Sequence, residues 1–391
     1  MSADKPFDLI VYGASGFTGQ LVAEYLCKRP ADPGLKRWAI AGRNRAKLEA
    51  VRDAWPDAAL KPDIVVADAT DPASLDAMVA STQVVLTTVG PYQQYGEPLV
   101  AACAKAGTDY VDLCGEPAWM RQMIDAHEAT AKASGARIVF SCGFDSIPFD
   151  LGVWFLQQAA IENTGKPCSQ VRGRVVKMKG TFSGGTAASF KATMAAAAAD
   201  PAVMDLLKDP FALTPGFVGA KQPTGHKPTF DEDLQSWAAP FIMAPINTRN
   251  VHRTNLLLGH PYGEDFTYSE MVATGPGDKG QQIAEAMAAD DSMSSDDGPK
   301  PGEGPSLEER ENGFYQVMFV GTAHDGRSLT AMVKGKRDPG YGSTSRMISE
   351  SALCLLQADF KTSGGFHTPG SALATPLLER LAQYADLSFA M

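Results

Sequence analysis

Three glycines at three-residue spacing stand near the start of the chain. Gly13, Gly16 and Gly19 follow the β-branched run Leu9–Tyr12 and precede a segment with helical spacing. A tight strand-to-helix turn needs residues without a Cβ, and the N-terminus of a helix supplies partial positive charge for an anion. The pattern therefore predicts that a dinucleotide binds here through its pyrophosphate, with a purely structural turn as the alternative. The predicted contact residues of this turn are Gly13, Ser15, Gly16, Phe17, Thr18 and Gly19.

The residues after the second β-branched run indicate which dinucleotide binds. A protein that binds NAD usually carries Asp or Glu there to accept from the ribose 2′-hydroxyl, whereas this chain has Arg43 followed by Asn44. An arginine can hold a 2′-phosphate through two hydrogen bonds and can stack on the adenine. We therefore predict NADP(H) as the cofactor, with Arg43 and Asn44 in contact with it. A solvated surface arginine is the alternative.

Two further strand ends supply predicted cofactor contacts. Asp68 and Ala69 end the third run and are predicted to face the adenine. The fourth run ends in Thr88, Val89, Gly90 and Pro91, which are predicted to face the inner riboses. Both positions lie at the carboxyl edge, where ligands bind in open α/β sheets. Helix capping by Asp68 and a plain Gly-Pro turn are the alternatives.

The elements that must position these residues follow from the hydrophobic pattern. Short β-branched runs alternate with amphipathic helical segments from Phe7 to Phe140, which is typical of βαβ units and a parallel sheet. Asp71, before Pro72, is predicted to cap one of the helices. The predicted strands are Leu9–Tyr12, Trp38–Ala41, Ile64–Ala67, Val84–Thr87, Tyr110–Leu113 and Ile138–Phe140.

The pattern changes after Asp150 to longer strands that alternate with polar residues. Asp325-Gly326 between two such strands predicts a hairpin and hence antiparallel pairing. We predict an α/β fold with an N-terminal Rossmann-type doubly wound parallel sheet over residues 1–150. A second, α+β domain with a mainly antiparallel sheet is predicted over residues 151–340. Residues 341–391 are predicted as a C-terminal helical segment that packs back on the first domain.

Two stretches have biased composition. Ala192–Ala199 is rich in alanine and is predicted to be helical. Asp290–Pro305 combines Asp, Ser, Gly and Pro with few apolar residues and is predicted to be a mobile acidic loop.

Composition and charge exclude several classes of protein. The 391 residues include 35 Lys and Arg against 45 Asp and Glu, a formal net charge of −10, which disfavours a general nucleic-acid binder. The six cysteines form no Cys-x-x-Cys pair, and we expect them to be reduced thiols. Met1–Pro6 has no leader-like pattern, and no apolar run approaches the roughly 18 residues of a membrane span. We therefore expect a cytoplasmic protein with no transmembrane segment, and we leave open that it forms a homo-oligomer.

Clusters that would indicate other chemistry are missing from the sequence. No His-x-His or His-Glu-x-x-His pattern is present, so we predict no metal site. No Gly-x-Ser-x-Gly elbow is present, which argues against a serine hydrolase.

Taken together, these motifs resemble the saccharopine-dehydrogenase-like oxidoreductases, and within them the branch that contains the bacterial trans-acting enoyl reductases. The resemblance is dense over the first 150 residues and thinner beyond them. It implies an NADP-type Rossmann domain followed by an antiparallel substrate domain, and it transfers no catalytic signature. The residues that carry it are Tyr12–Gly19, Ala41–Asn44, Val89–Tyr92, Tyr95-Gly96, Tyr110–Asp112, Gly115-Glu116, Gly143–Pro148, Ser183–Thr186 and Gly364–Pro369.

Tyr92 and Asp145 are the candidate catalytic residues, because both follow strands whose carboxyl ends converge beside the nicotinamide. Tyr92 could donate a proton from its hydroxyl, and Asp145 could orient a water or an amine. Packing of Tyr92 and helix capping by Asp145 are the alternatives. Glu116 resembles a family residue near the cofactor but is expected to open a helix, and His252 is expected to be partly exposed.

The resemblance implies an NADPH-dependent enoyl reductase that acts on an enoyl thioester of coenzyme A or of a carrier protein. One alternative is an imine or secondary-amine oxidoreductase of the saccharopine type, which would need cations such as Arg249 and Arg253 to hold carboxylates. The other is a non-catalytic NADP-sensing module, which would have no cavity at the nicotinamide.

Overall fold

The computed structural model describes residues 5–180, 184–290, 303–357 and 362–391. Most of the predicted acidic loop Asp290–Pro305 lies outside the described residues. Within the described part, no helix is long and apolar enough to cross a membrane.

Among the described residues, the first sheet has seven parallel strands in the order β13-β6-β5-β4-β1-β2-β3. The order reverses at β1, which pairs with both β2 and β4, so this is a doubly wound sheet of the predicted kind. Its central strands are continuous apolar runs because helices cover both faces. The strands are β1 (Phe7–Tyr12), β2 (Trp38–Gly42), β3 (Asp63–Val66), β4 (Thr82–Thr87), β5 (Asp109–Val111), β6 (Arg137–Val139) and β13 (Gly365–His367).

Two of the helices that follow these strands, α2 and α3, begin at a residue whose side chain caps the helix. The Asp71 side chain accepts from the Ala73 N–H, and Pro72 takes the first helical position of α3, which confirms the predicted cap. The helices are α1 (Phe17–Lys28), α2 (Arg45–Asp53), α3 (Pro72–Ala80), α4 (Tyr92–Tyr95), α5 (Glu97–Ala106), α6 (Pro117–Ser134) and α7 (Ile147–Thr164).

The second sheet, within the same described ranges, also has seven strands, in the order β14-β12-β11-β7-β10-β9-β8. Its strand pairs are antiparallel except for β7 and β10, which run parallel. The predicted hairpin is confirmed, because β11 and β12 pair antiparallel across the turn that contains Asp325-Gly326. The strands are β7 (Cys168–Lys179), β8 (Thr229–Asp231), β9 (Ser236–Pro240), β10 (Thr267–Gly275), β11 (Phe314–Ala323), β12 (Ser328–Lys336) and β14 (Leu387–Ala390).

The remaining helices lie in or after the second sheet. The predicted alanine-rich helix forms the C-terminal half of α8. A π-helical turn over Pro339–Ser343 leads directly into α13. The helices are α8 (Gly184–Ala199), α9 (Pro201–Lys208), α10 (Ala244–Leu257), α11 (Gly277–Ala288), α12 (Leu307–Glu311), α13 (Thr344–Leu355), α14 (Pro369–Ala372) and α15 (Ala374–Tyr384).

The C-terminal part of the chain contributes to both sheets. Helix α13 packs against α1, β4 and β5, and strand β13 extends the first sheet beside β6. Strand β14 then pairs with β12 at the edge of the second sheet. Strands β13 and β14 were not predicted from the sequence, because they span only three and four residues. The boundaries at residues 150 and 340 stay predictions.

Candidate active site

A cavity of about 750 Å³ opens at the carboxyl edge of the first sheet. One side is built from the loops that follow β1, β2, β3, β4, β5 and β6, and the other from α8, the start of α10 and the π-helical turn. The cofactor-side lining is Tyr12, Gly13, Ser15, Gly16, Phe17, Thr18, Gly42, Arg43, Asp68, Ala69, Thr70, Thr88, Val89 and Gly90. This position matches the place where ligands bind in open α/β sheets.

The glycine turn after β1 has the geometry that a pyrophosphate needs. Gly13 has a φ of +86°, and a Cβ on it would lie 2.7 Å from Val89 Cγ2. A Cβ on Gly19 would lie 2.2 Å from the Gly13 carbonyl oxygen, so α1 can pack this closely on the turn only with glycine there. No side chain caps the N-terminus of α1, whose N–H groups and dipole are oriented for an anion. The residues present therefore fit a dinucleotide.

Eleven of the fourteen predicted cofactor contacts line the cavity, and Gly19, Asn44 and Pro91 do not. Gly19 serves the packing of α1 on the turn, while Asn44 caps α2 by accepting from the Lys47 N–H. Pro91 precedes α4 as its N-cap residue, after a cis Gly90–Pro91 bond. Their predicted contact with the cofactor has no support in the lining of the cavity, because each has a structural role in the backbone next to it.

Arg43 and Asp68 mark the outer end of the groove. Arg43 is exposed at the end of β2 and lines the cavity. The Asp68 carboxylate accepts from both the N–H and the hydroxyl of Thr70, each at 2.9 Å, which together with nearby Arg43 lowers the pKa of Asp68. The cap of α3 is Asp71 and not Asp68, so the capping alternative for Asp68 is wrong.

Asp145 stands at the junction of the groove and the second half of the cavity. It follows β6, lines the cavity, and is partly accessible through it, but its Oδ1 is buried and has no hydrogen-bond partner among the described residues. Burial raises the pKa of Asp145 to about 7. Helix α7 begins without a side-chain cap, so the capping alternative for Asp145 is wrong as well.

Tyr92 also reaches the cavity, but its hydroxyl is already engaged. The hydroxyl accepts from the Leu113 N–H at 3.0 Å and donates to the Thr87 carbonyl at 3.4 Å. Burial, reinforced by the neighbouring Asp112 carboxylate, raises the pKa of Tyr92 well above its ordinary value. Its ring packs against Trp119 at a centroid distance of 5.7 Å. The catalytic roles of Tyr92 and Asp145 stay predictions.

The second half of the cavity is apolar. Among the residues that the structure describes, the charged side chains lining the whole cavity are Arg43, Asp68 and Asp145. The apolar lining was not predicted from the sequence, although Thr186, Phe190 and Met194 recur at four-residue spacing along α8. The large apolar side chains here are Leu113, Phe144, Met178, Phe190, Met194, Leu207, Phe241, Ile242, Met243 and Ile246.

The cationic residues of α10 do not line the cavity, although Arg249 contacts two residues that do. Arg249 donates to the carbonyls of Leu207 and Pro245, and Arg253 donates to backbone carbonyls as well. His252 is 3% exposed, so the expectation of a partly exposed histidine was wrong. Burial, reinforced by Arg249, lowers the pKa of His252 to about 3.

Glu116 was expected to open α6, and it is the N-cap residue of that helix, but its carboxylate makes other contacts. The two oxygens accept from the backbone N–H groups of Tyr92 and Gln93 at the start of α4. The carboxylate therefore caps a different helix from the one that the sequence suggested.

The profile of the saccharopine dehydrogenase NADP-binding domain matches residues 9–139. A trans-acting enoyl reductase of Mycobacterium ulcerans (strain Agy99) is 38% identical over 410 residues, which cover 98% of this chain and 97% of the relative. A Mycobacterium tuberculosis (strain ATCC 25618 / H37Rv) protein provisionally named a trans-acting enoyl reductase is 41% identical over 408 residues, 96% of each chain.

A solved structure shares the fold at low sequence identity. Apo saccharopine dehydrogenase (L-Glu forming) from Saccharomyces cerevisiae superposes with a TM-score of 0.54 at 13% identity, covering 98% of this chain and 100% of that one. The chain, with its NADP-binding domain, is thus an NADP(H)-dependent oxidoreductase that belongs to the trans-acting enoyl reductase family within the saccharopine-dehydrogenase-like proteins.

Proposed function

We propose that this protein is an NADPH-dependent reductase that saturates the carbon–carbon double bond of an enoyl thioester carried by coenzyme A or a carrier protein. The observation that carries the proposal is an apolar cavity continuous with the dinucleotide groove, with one buried carboxyl at the junction. The names of the relatives support the same reaction.

The lining of the second half of the cavity suits an acyl chain. Its walls are Phe, Met, Ile and Leu side chains with a few hydroxyls, and burying apolar surface stabilises a hydrocarbon substrate. Within the described residues no lysine, and no arginine except Arg43 in the cofactor half, lines the cavity. A substrate with two or more free carboxylates would find no cation to pair with.

The residues of the groove hold and orient the cofactor. Bound NADPH supplies a hydride to the β carbon of the substrate. The Gly13 turn and the N-terminus of α1 bind the pyrophosphate, and Arg43 binds the 2′-phosphate. The loop that follows β4 lines the inner end of the groove through Thr88, Val89 and Gly90.

Asp145 is the group that we assign to the proton. Burial raises the pKa of Asp145 to about 7, so a large fraction of the carboxyl is protonated near neutral pH and can donate a hydrogen bond to the thioester oxygen as negative charge develops there. It can also pass its proton, directly or through one water, to the α carbon, and it is then the carboxylate that solvent reprotonates. Tyr92 is the second candidate, but its hydroxyl must first leave the Thr87 carbonyl.

Neither alternative function has comparable support. The arginines that would hold the carboxylates of an imine substrate, Arg249 and Arg253, are buried, donate to backbone carbonyls, and are not among the residues that line the cavity. A sensing module would have no cavity beside the nicotinamide position, whereas this chain has one. We place the reaction in the cytoplasm, which agrees with six cysteines that are all free thiols.

Stereospecifically labelled cofactor tests the proposal directly. The protein is incubated with NADPH deuterated on either face of C4, a panel of enoyl-coenzyme A thioesters, and amine/2-oxo-acid pairs. We expect one deuterium in a saturated thioester, from one of the two labelled cofactors. Deuterium in a secondary amine would replace the proposal with the imine reaction. Absence of label from every product, with NADPH binding verified in the same sample, would contradict both.

A further inference from the structure

Helix α8 forms one wall of the apolar half of the cavity. Six of its residues line the cavity at helical spacing, namely Gly185, Thr186, Ser189, Phe190, Thr193 and Met194. The helix itself is weakly anchored by apolar contacts, because within its described residues it buries Gly184 and Ala197 alone. Ala197 packs in a small cluster with Ala118 and Val203 at the C-terminal end. Polar contacts must therefore hold the rest of α8 in place.

The first polar contact joins α8 to the inner end of the cofactor groove. The Ser189 hydroxyl donates to Glu116 Oε1 at 2.7 Å. The same carboxylate accepts from the Tyr92 N–H at 3.0 Å and from the Gln93 N–H at 2.8 Å. One turn further along α8, the Thr193 hydroxyl accepts from the Gln93 side-chain amide at 3.2 Å.

The Glu116 carboxylate has little freedom to serve these partners separately. The residue is 2% exposed, and its two oxygens bind three donors from two different elements. Tyr92 and Gln93 directly follow the Thr88–Pro91 loop, most of which lines the cofactor groove. A shift of this loop therefore moves the Glu116 carboxylate, which is the acceptor of the Ser189 hydrogen bond.

A second contact joins α8 to the glycine turn of the groove. The N–H of Gly184, the first residue of α8, donates to the Tyr341 hydroxyl at 3.2 Å. The Tyr341 ring packs edge-on against Phe17 of the glycine turn, with 4.7 Å between ring centroids. The loop after β4 and the glycine turn are thus both connected to α8 through side chains that line or adjoin the cavity.

We propose that Glu116 is a positioning residue that couples the cofactor groove to α8, so that a bound cofactor holds the wall of the substrate cavity in place. Identifying α8 as that wall rests on the proposed function, whereas the coupling itself rests on the hydrogen bonds alone. When the cofactor fixes the loop after β4, the carboxylate loses its freedom to move, and the Ser189 hydrogen bond gains strength from a fixed acceptor. Linkage requires the converse, so a molecule seated against α8 tightens the binding of the cofactor.

Hydrogen exchange of the whole protein, with and without saturating NADPH, tests the coupling in the absence of any enoyl substrate. In the wild type we expect NADPH to slow amide exchange both in the glycine turn and over 184–199. In Ser189→Ala, the glycine turn should still be protected, while NADPH-bound α8 should exchange on the order of tenfold faster than in the wild type. That factor is the loss expected for one hydrogen bond to a charged group.

Two further variants separate coupling from simple destabilisation of the helix. Alanine is a better helix former than serine, so Ser189→Ala by itself does not weaken α8. Ser189→Thr keeps the hydroxyl and should restore the NADPH-dependent protection of α8, whereas Glu116→Gln should lose it. Equal protection of α8 by NADPH in the wild type and Ser189→Ala, or no protection in the wild type, would overturn the proposal. Because no thioester is present, neither result depends on whether the protein reduces one.

Discussion

Among the described residues, Asp145 differs from the other two charged side chains that line the cavity because its buried Oδ1 has no hydrogen-bond partner. Asp68 receives two hydrogen bonds from Thr70, and Arg43 lies exposed at the outer end of the groove. A carboxyl with a buried oxygen that accepts no hydrogen bond favours its neutral form, and burial moves the pKa of Asp145 to about 7. A group with these properties is suited to donate a proton near neutral pH.

Asp145→Asn tests this role through its pH dependence. If Asp145 is the acid, it must be protonated to act, so kcat/KM of the wild type should be constant at low pH and fall as the pH rises through about 7. Asp145→Asn should lose that limb and reduce kcat by about 10²–10⁴-fold, with NADPH affinity retained. Tyr92→Phe is the control and should keep the limb. If kcat/KM of Asp145→Asn still falls as the pH rises through about 7, another group is the proton donor.

The same substitution is expected to change stability in the opposite direction to activity. The folded-state pKa lies above the unfolded value of about 3.9, so the folded state loses stability as the pH rises from that value to about 7. Each tenfold difference in proton affinity between the folded and unfolded states corresponds to about 1.4 kcal/mol. Asp145→Asn should therefore raise the free energy of unfolding more at pH 8 than at pH 5, by denaturant titration. A larger gain at pH 5 would contradict the raised pKa.

Arg43 predicts cofactor preference at the scale of a single side chain. Arg43→Ala removes the cation at the 2′-phosphate, which is the chemical difference between NADPH and NADH. A hydrogen bond to a charged group contributes about 1.5–3 kcal/mol, so NADPH binding should weaken roughly ten- to a hundredfold and NADH binding far less. Arg45, which is exposed and does not line the cavity, provides the control Arg45→Ala. Equal loss of affinity for NADPH and NADH in Arg43→Ala would contradict the assignment of Arg43 to the 2′-phosphate.

Between elements, the first helix and the C-terminal helices are joined by a buried network of charges. Glu350 on α13 is fully buried and accepts from Arg29 Nε, Arg380 Nε and the Tyr25 hydroxyl, at 2.9, 2.9 and 2.6 Å. Asp32 also pairs with both arginines, so the network contains two carboxylates and two guanidinium groups. A buried pair or network of this kind gives little net stability, but breaking it leaves an unpaired charge.

Glu350→Gln tests the network. Two guanidinium groups would then share the single carboxylate of Asp32, and the free energy of unfolding should fall by about 3–5 kcal/mol. NADPH affinity of the folded protein should stay unchanged, because the network lies away from the groove lining. Glu24→Gln, which breaks the surface pair with Lys28, should cost less than about 1 kcal/mol. Similar losses in the two variants, measured by chemical denaturation, would contradict the buried network.

At the scale of the whole molecule, the cavity is lined by residues of the first sheet's loops and of the elements in and around the second sheet. The loops of the first sheet supply the polar groove and part of the apolar half, and α8, the start of α10 and the end of β7 supply the rest. The two halves meet at Asp145, so the proposed function predicts that the reacting carbon lies beside the carboxyl while the rest of the substrate extends over apolar surface. Selectivity should therefore come from the hydrocarbon part of the substrate.

A series of enoyl-coenzyme A thioesters of increasing chain length checks this expectation. Each buried CH₂ contributes about 0.8 kcal/mol, so kcat/KM should rise about fourfold per added CH₂ until the chain fills the cavity. Phe190→Ala should reduce the increment by removing part of the apolar wall. Values of kcat/KM that are independent of chain length would show that the apolar half does not hold the acyl chain.

Several features of the fold and the groove follow from short stretches of sequence. The Gly13 turn, the doubly wound parallel sheet around it, Arg43 at the end of β2, and the hairpin at Asp325-Gly326 were all predictable. In each case the determining physics acts over a few residues, through a positive φ, an alternating apolar pattern or a two-residue turn. The division into a parallel and a mainly antiparallel sheet follows from the same local patterns.

The tertiary structure alone decided which of the candidate groups are available for chemistry. Arg249, His252 and Arg253 look like an anion site in the sequence, but packing buries all three and none of them lines the cavity. Asp145 looks like a helix cap, but packing leaves its Oδ1 without a partner. Burial depends on segments that are distant along the chain, so no local pattern reports it.

The end of the chain gives the clearest case of this dependence. Gly365–His367 carries almost no strand signal in three residues, yet β6 provides a paired edge that makes it the seventh strand of the first sheet. The Tyr25 hydroxyl and Glu350 are 325 positions apart and bond at 2.6 Å. The sequence by itself therefore determined the cofactor and the local elements, while contacts between distant segments decided the charge states, the apolar cavity and the edge strands β13 and β14 of the two sheets.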